Sequence, residues 1–175
     1  MNASHPLSLD ELQTLIRQGI DKAHPLPYWV TAEISEKKVN VSGHCYLELV
    51  EKGGANHVPK AKASAVIWRS QYAIIASYFR STTGQELQAG MKVLVKVVVS
   101  YHALYGLSLQ ITDIDPAYTL GDMERQRLET IQKLQEDGVY DMNRELPLPC
   151  VMQRIAVVSS PRAAGYQDFM RELSV

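Results

Sequence analysis

Ala61-Lys62-Ala63-Ser64-Ala65-Val66-Ile67-Trp68 is followed, after Arg69-Ser70, by Gln71-Tyr72-Ala73-Ile74-Ile75-Ala76-Ser77-Tyr78-Phe79-Arg80. In the first stretch Ala61, Ala63, Ala65 and Ile67 alternate with Lys60, Lys62, Ser64 and Trp68, as the two faces of a half-buried strand require. In the second, Tyr72, Ile75, Ala76 and Phe79 keep helical spacing. A strand that hands over directly to a helix, within a region otherwise of period two, is the join that separates one β architecture from another.

Upstream, Val30, Ala32 and Ile34 alternate with Trp29, Thr31, Glu33 and Ser35, and after Ser42-Gly43 the residues Cys45, Leu47 and Leu49 alternate with His44, Tyr46 and Glu48. Gly53-Gly54 and Pro59 mark the loop before the third run. Downstream, Gly84 and Gly90 bracket the return to strand. A fourth run, Met91 to Ser100, aligns Val93, Val95, Val97 and Val99 on one face. A fifth sets Leu107, Leu109 and Ile111 against Ser108, Gln110 and Thr112, with Tyr101 to Gly106 as the connection. Five strands with a helix between the third and fourth is the element order of an OB-fold barrel, assigned here to residues 28–116. A split sheet with a stray helix would share much of this pattern.

The flanks are helical. Ser8 as N-cap, Glu11 three residues on, and Leu9, Leu12, Leu15, Ile16 and Ile20 predict an amphipathic helix that Pro25 and Pro27 stop, so residues 1–27 are a helix and lead-in. Residues 117–150 hold a charged helix, Asp122 to Asp137, ended by Gly138, and an extended linker at Leu146-Pro147-Leu148-Pro149. In residues 151–175, Ile155-Ala156-Val157-Val158 reads as a buried strand, followed by a turn and a helix from about Gln167. A strand, a turn and half a helix cannot bury a core, so this piece reads as the truncated start of an α/β domain. The fold class is mainly β with flanking helices: a five-stranded OB-fold barrel preceded by a helix and followed by a truncated α/β segment.

The 175 residues suit one domain and a fragment, and 46% hydrophobic with 18 basic against 19 acidic residues excludes a disordered tail, a collagen-like fibre and a strongly basic arm. Resolved along the chain, residues 25–116 carry nine basic and seven acidic groups, while residues 117–175 carry seven and nine. Cys45 and Cys150 have no CxxC or Cys/His spacing, and no HxH or HExxH occurs, so no metal site is expected and both thiols read as buried side chains. Met1 to Leu12 lacks a basic-then-apolar leader, and no apolar run approaches a membrane span. The expectation is a cytoplasmic protein with no membrane partner.

The outer face of the barrel carries the functional argument. His44, Tyr46, Lys60 and Lys62 lie on the non-core side of the second and third strands, with Trp68 and Arg69 at the end of the third and Lys37 and Lys38 at the far part of the first. Tyr105 lies between the fourth and fifth strands. Rings beside cations suit single-stranded nucleic acid, because bases stack on the rings and phosphates meet Lys or Arg. The plainer readings are solubilising lysines, a rim-covering Tyr46 and Trp68 as a plug for the barrel end. At the carboxyl end, Ser159, Ser160 and Arg162 in a strand–loop–helix unit would suit a phosphate, although no Walker loop is present.

Trp29-Val30-x-x-Glu33-Ile34-Ser35, followed by Ser42-Gly43-His44-x-Tyr46-x-x-Leu49, resembles the opening of the exodeoxyribonuclease VII large subunit family. Trp68-Arg69, Gly90-Met91-x-Val93-x-Val95, Ser100-Tyr101, Gly106-Leu107-x-Leu109 and Ile114-x-Pro116 continue the likeness. It extends through Gly138-Val139-Tyr140-Asp141 and Ile155 to Pro161. The resemblance implies an amino-terminal OB-fold that binds single-stranded DNA, joined to a nuclease domain lying mostly beyond residue 175. It implies an exonuclease, a phosphodiester hydrolase that degrades single-stranded DNA from either end to short 5′-phosphorylated products with several copies of a small subunit. By position it places the catalytic aspartate at Asp168. The turn departs from the family's pattern: Arg162-Ala163-Ala164-Gly165 stands where Thr-Gly-Ala-Ala is usual, which changes the residue free to take a positive φ.

The leading expectation is therefore the DNA-binding portion of such a subunit, inactive alone. The alternatives are a non-catalytic OB-fold module for single-stranded DNA or RNA, and a barrel that docks a protein. No cofactor follows from the residues; Mg2+ is the one candidate, for the full-length enzyme only. A barrel separated from its neighbouring domains is also open to forming a homodimer.

Overall fold

The alternating runs of valine, leucine and alanine close into a barrel. The computed structural model of the chain describes residues 6–53, 59–147, 150–151, 154–160 and 163–173. After helix α1 (Leu9–Ala23) come β1 (Tyr28–Val39), β2 (Cys45–Lys52), β3 (Pro59–Ile67), α2 (Arg69–Thr83), β4 (Lys92–His102) and β5 (Gly106–Asp115). The strand order is β1-β2-β3-β5-β4, closed, so the OB-fold order expected from periodicity is the one observed. β1 is long enough to serve two neighbours. Its first half pairs with β4, from Tyr28↔Val97 to Glu33↔Lys92, and its second half with β2, from Glu33↔Val50 to Val39↔Cys45. Closure comes from a short parallel contact of β3 with β5, Ala65↔Leu109 and Val66↔Gln110.

The core is built from the inward sets: Ile34, Cys45, Leu47, Leu49, Ala65, Ile67, Val93, Val95, Val97, Ile111 and Ile114. Helix α2 adds Ile75 and Phe79, the latter fully buried, whereas Trp68, for which a plug of the barrel end was the plainer reading, is 41% exposed. Gly84 ends α2 at φ 71°, the left-handed cap that a glycine adopts without a Cβ clash, and its N–H donates to Arg80 O at 2.9 Å.

A β-bulge breaks the phase of β1 between Ile34 and Glu36. Before it Val30, Ala32 and Ile34 face the core; after it Lys37 pairs with Leu47 on the inner side and Lys38 with Tyr46 on the outer. A one-residue insertion exchanges the faces of everything that follows it.

Helix α1 forms as expected, with a complete capping box: Glu11 N–H donates to Ser8 Oγ at 3.2 Å and Ser8 N–H to Glu11 Oε2 at 2.7 Å. It buries no residue fully, and Tyr101 Oη donates to Gln13 Oε1 to tie it to β4. Helix α3 runs over Pro116–Glu136, starting six residues before the expected Asp122. Asp115 accepts the Ala117 N–H at 3.0 Å and Pro116 occupies the first turn, so the proline that bounds the barrel region also starts the helix. Thr119 Oγ1 donates to Lys92 O at 2.8 Å and Lys92 Nζ lies 3.7 Å from Asp122 Oδ1, fastening α3 to β4, while within the helix the buried Asp122 carboxylate accepts from Gln126 Nε2 at 2.6 Å and from Arg125.

The chain divides into two units, Met1–Thr130 and Ile131–Val175. The second contains the end of α3, a short α4 (Met142–Glu145) and α5 (Ala164–Leu173). Ile155 to Val158, expected as a buried strand, has none of the pairing that defines one, and Ile155, Val157 and Val158 are exposed. A strand is a ladder of shared hydrogen bonds, and no described residue of this unit supplies the other rail. Cys45 is buried as expected, but Cys150 is exposed. Among the described residues, no helix is long and apolar enough to cross a membrane.

Candidate nucleic-acid interface

The outer side of β1, β2 and β3 presents its residues in rows set by the strand register. One row is Lys38, Tyr46 and Val66; the next toward the middle is Glu36, Glu48 and Ser64; a third is Glu33, Val50 and Lys62. Beyond the first row, at the end of β3, lie His44 and Trp68, their rings edge to face with centroids 5.0 Å apart and planes at 90°. Tyr46 and Trp68 are both exposed, at 45% and 41%, although each has apolar strand neighbours. Large rings kept in water at successive positions of one face are available to stack. A hollow of about 220 Å³ beside Tyr46 is lined by Glu36, Lys38, Glu48 and Ser64.

The turn between β1 and β2 is built around Asn40. Asn40 N–H donates to His44 O at 2.9 Å, His44 N–H donates to Asn40 Oδ1 at 2.8 Å, and Gly43 N–H donates to Asn40 O at 2.9 Å. Gly43 sits at φ +84°, and a Cβ there would lie 3.1 Å from Arg69 Cγ, so the Arg69 stem crosses the space that a glycine leaves. Sequence reading took Ser42-Gly43 as a turn signal and missed Asn40, which a turn residue able to bond its own backbone could have suggested.

Electrostatics divide this face. Lys62 Nζ lies 2.7 Å from Glu48 Oε2, and Ser35 Oγ donates to Glu48 Oε1 at 2.9 Å. The Lys62 hydrogen bond, with Ser35 second, holds the Glu48 carboxyl below its ordinary value of 4.5. The middle row is therefore acidic, and Lys62 has a partner. Lys38 and Arg69 form no ion pair among the described residues and flank the two rings at the β1–β2 turn.

The other expected residues separate. Lys60 and Lys62 are exposed toward the opposite end of β3, and the parallel register with β5 runs the Tyr101 to Gly106 turn toward that same end. There Tyr105 is 83% exposed and its ring packs at 4.8 Å on His102. Lys37 is a correction: the bulge turns it off the face, where its Nζ donates to Leu87 O at 2.6 Å and lies 5.7 Å from the centre of the Tyr72 ring. A feature the sequence reading passed over is Trp29, 50% exposed, with Lys96 Nζ 6.0 Å from its centre on the β1–β4 side. The sequence shows Trp29 on the outward side of the first run and Lys96 interrupting the β4 valines, but only the register sets the two opposite each other. A larger hollow of about 430 Å³ near Lys52, Lys92 and Tyr118 offers less charge, because Glu33 pairs with Lys52 and Asp122 with Lys92.

In the second unit, Asp168 lies exposed on α5, its carboxylate 3.6 Å from Arg171 Nη1. Ser159 and Ser160 are exposed, and Ser160 O accepts from Ala163 N–H at 2.9 Å. Arg162, expected to assist a phosphate, lies outside the described residues. Among the described residues, no three His, Cys, Asp or Glu side chains gather as a metal site.

Residues 7–115 match the model of a family described as an OB-fold nucleic acid binding domain. The whole chain is similar to proteins named exodeoxyribonuclease 7 large subunit. That of Deinococcus radiodurans is 40% identical over 171 residues, covering 95% of this chain and 40% of the relative. Those of Stenotrophomonas maltophilia and Rhodopirellula baltica are 28% and 27% identical, covering 95% and 94% of this chain and 34% of each relative. The likeness read from the Glu33 and His44 motifs thus extends over nearly all of the chain, which spans two fifths or less of these relatives' length.

Proposed function

The chain belongs to the family of OB-fold nucleic acid binding domains, and from that premise we propose that it binds single-stranded DNA on the outer face of β1, β2 and β3. The observation that carries this reading is the pair of exposed rings, Tyr46 and Trp68, flanked by Lys38 and Arg69. Only an unpaired base offers a free face to such a ring, and each stacked base contributes roughly 1–3 kcal/mol. Lys38 and Arg69 meet the phosphates between the stacked bases, while Lys60 and Tyr105 extend the path past the acidic row. In the longer protein the same strand is fed to a nuclease domain of the exodeoxyribonuclease VII type, with Asp168 in its catalytic group and a small subunit as partner.

A fluorescein-labelled dT oligonucleotide titrated at several salt concentrations tests the binding step. Affinity falls steeply with salt, Trp68→Ala weakens binding by about fivefold or more, and Lys38→Ala lowers the salt slope by about one. No binding at low salt would overturn the reading. For the nuclease step, the full-length protein with its small subunit is compared with its Asp168→Ala version. Loss of single-stranded DNA degradation is expected, and equal degradation by both removes Asp168 from the catalytic group.

A further inference from the structure

We propose that His44 is a positioning residue: it holds Trp68 and Arg69 in the arrangement that receives an unpaired nucleotide, without being the group that receives it. The inference rests on the nucleic-acid reading of the face.

Three contacts converge on His44. The first concerns how α2 begins. Its N-cap is Trp68, in the extended region at φ −67°, ψ 150°, and it has no side-chain oxygen to satisfy the first amides of the helix. Instead His44, from the neighbouring turn, supplies the acceptor: Arg69 N–H donates to His44 Nδ1 at 3.1 Å. Nδ1 therefore carries no proton, and Nε2 bears the ring hydrogen. The second contact is with the Trp68 ring, which stands against the His44 edge at 90°. The third is the adjoining Gly43, across which the Arg69 stem lies. One turn thus fixes the start of α2, the plane of its indole and the course of its guanidinium stem.

The arrangement explains why tryptophan occupies a position that ordinarily takes Ser, Thr, Asp or Asn. The capping acceptor has been moved to another element, which frees the cap position for a ring kept in water. His44 is itself set by Asn40, which receives its N–H and donates to its carbonyl. Preorganisation of this kind reduces the side-chain ordering that binding must otherwise supply.

A double-mutant cycle on the intact chain tests this with a labelled dT oligonucleotide. Trp68→Ala and His44→Ala each weaken binding by about fivefold or more, and the double variant loses clearly less than the two single losses combined, because His44 acts through Trp68 and Arg69 and only the Arg69 share is left to lose. His44→Asn restores an acceptor near the Nδ1 position but no ring edge, so its affinity falls between wild type and His44→Ala. In a Trp29→Phe background Trp68 is the sole indole, since the chain has 2 Trp. His44→Ala then lowers its fluorescence anisotropy without any nucleic acid present. Wild-type affinity in His44→Ala, additive losses in the double variant, or unchanged anisotropy would each overturn the inference. If Trp68→Ala and Arg69→Ala both bound as wild type, the reading of the face would fail, and this inference with it.

Discussion

Glu48 occupies the middle of the proposed binding face, and its charge has two opposite effects. In the native state Lys62 and Ser35 stabilise the carboxylate, so its titration lies below the ordinary value of 4.5. Its contribution to folding is therefore present above that ordinary value and is lost as pH falls through the lowered native one. For a bound phosphate chain the same carboxylate is unfavourable, both directly and by occupying Lys62. Glu48→Gln should reduce the acid-side loss of stability in urea melts while tightening oligonucleotide binding and steepening its salt dependence. Weaker binding by the variant would mean that Glu48 serves the site by orienting Lys62. Neither effect was legible in the one-dimensional alternation, which set Glu48 on the outer face but could not say which cation stood across from it.

At the scale of elements, local chemistry and long-range pairing were legible to different degrees. The start of α1 could be read directly, because Ser8 and Glu11 are three residues apart and a capping box needs nothing else. Its 15 residues bury none of their side chains fully, so the cap is a large part of what keeps it helical. Ser8→Ala is expected to cost about 1 kcal/mol, seen as faster amide exchange within α1 while barrel amides keep their protection. Equal loss of protection in the barrel would show that α1 is integral to the core. The bulge in β1 was not legible in the same way. Nothing in Glu33-Ile34-Ser35-Glu36 announces an extra residue; the phase changes because the inner partner of Lys37 is Leu47 and that of Ile34 is Leu49. Lys37 was therefore expected on the binding face and lies on the other side. The start of α3 was missed for a related reason: Pro116 ends a strand and begins a helix with equal ease, and the deciding contact is the Asp115 cap.

For the molecule as a whole, the core of the first unit is one cluster shared by all five strands and α2. Phe79, at 0% exposure, is its largest fully buried side chain and belongs to the helix rather than to the barrel. Phe79→Ala should cost about 3–5 kcal/mol in chemical denaturation, with barrel and α2 signals lost together. Separate transitions for the two would show that α2 is only an accessory to the barrel. The order of elements and, up to the bulge in β1, the inward side of the strands followed from residue spacing, because alternation and helical period are local properties of the chain. The family likeness was legible too, in motifs carried by contiguous residues. What the tertiary structure alone decided was which outward residues meet: Lys62 with Glu48, His44 with Trp68 and Arg69, Lys96 with Trp29. These partners come from different strands, and their meeting depends on register, bulge and barrel closure. Those are set by the packing of the whole core and not by the sequence around any one of the residues.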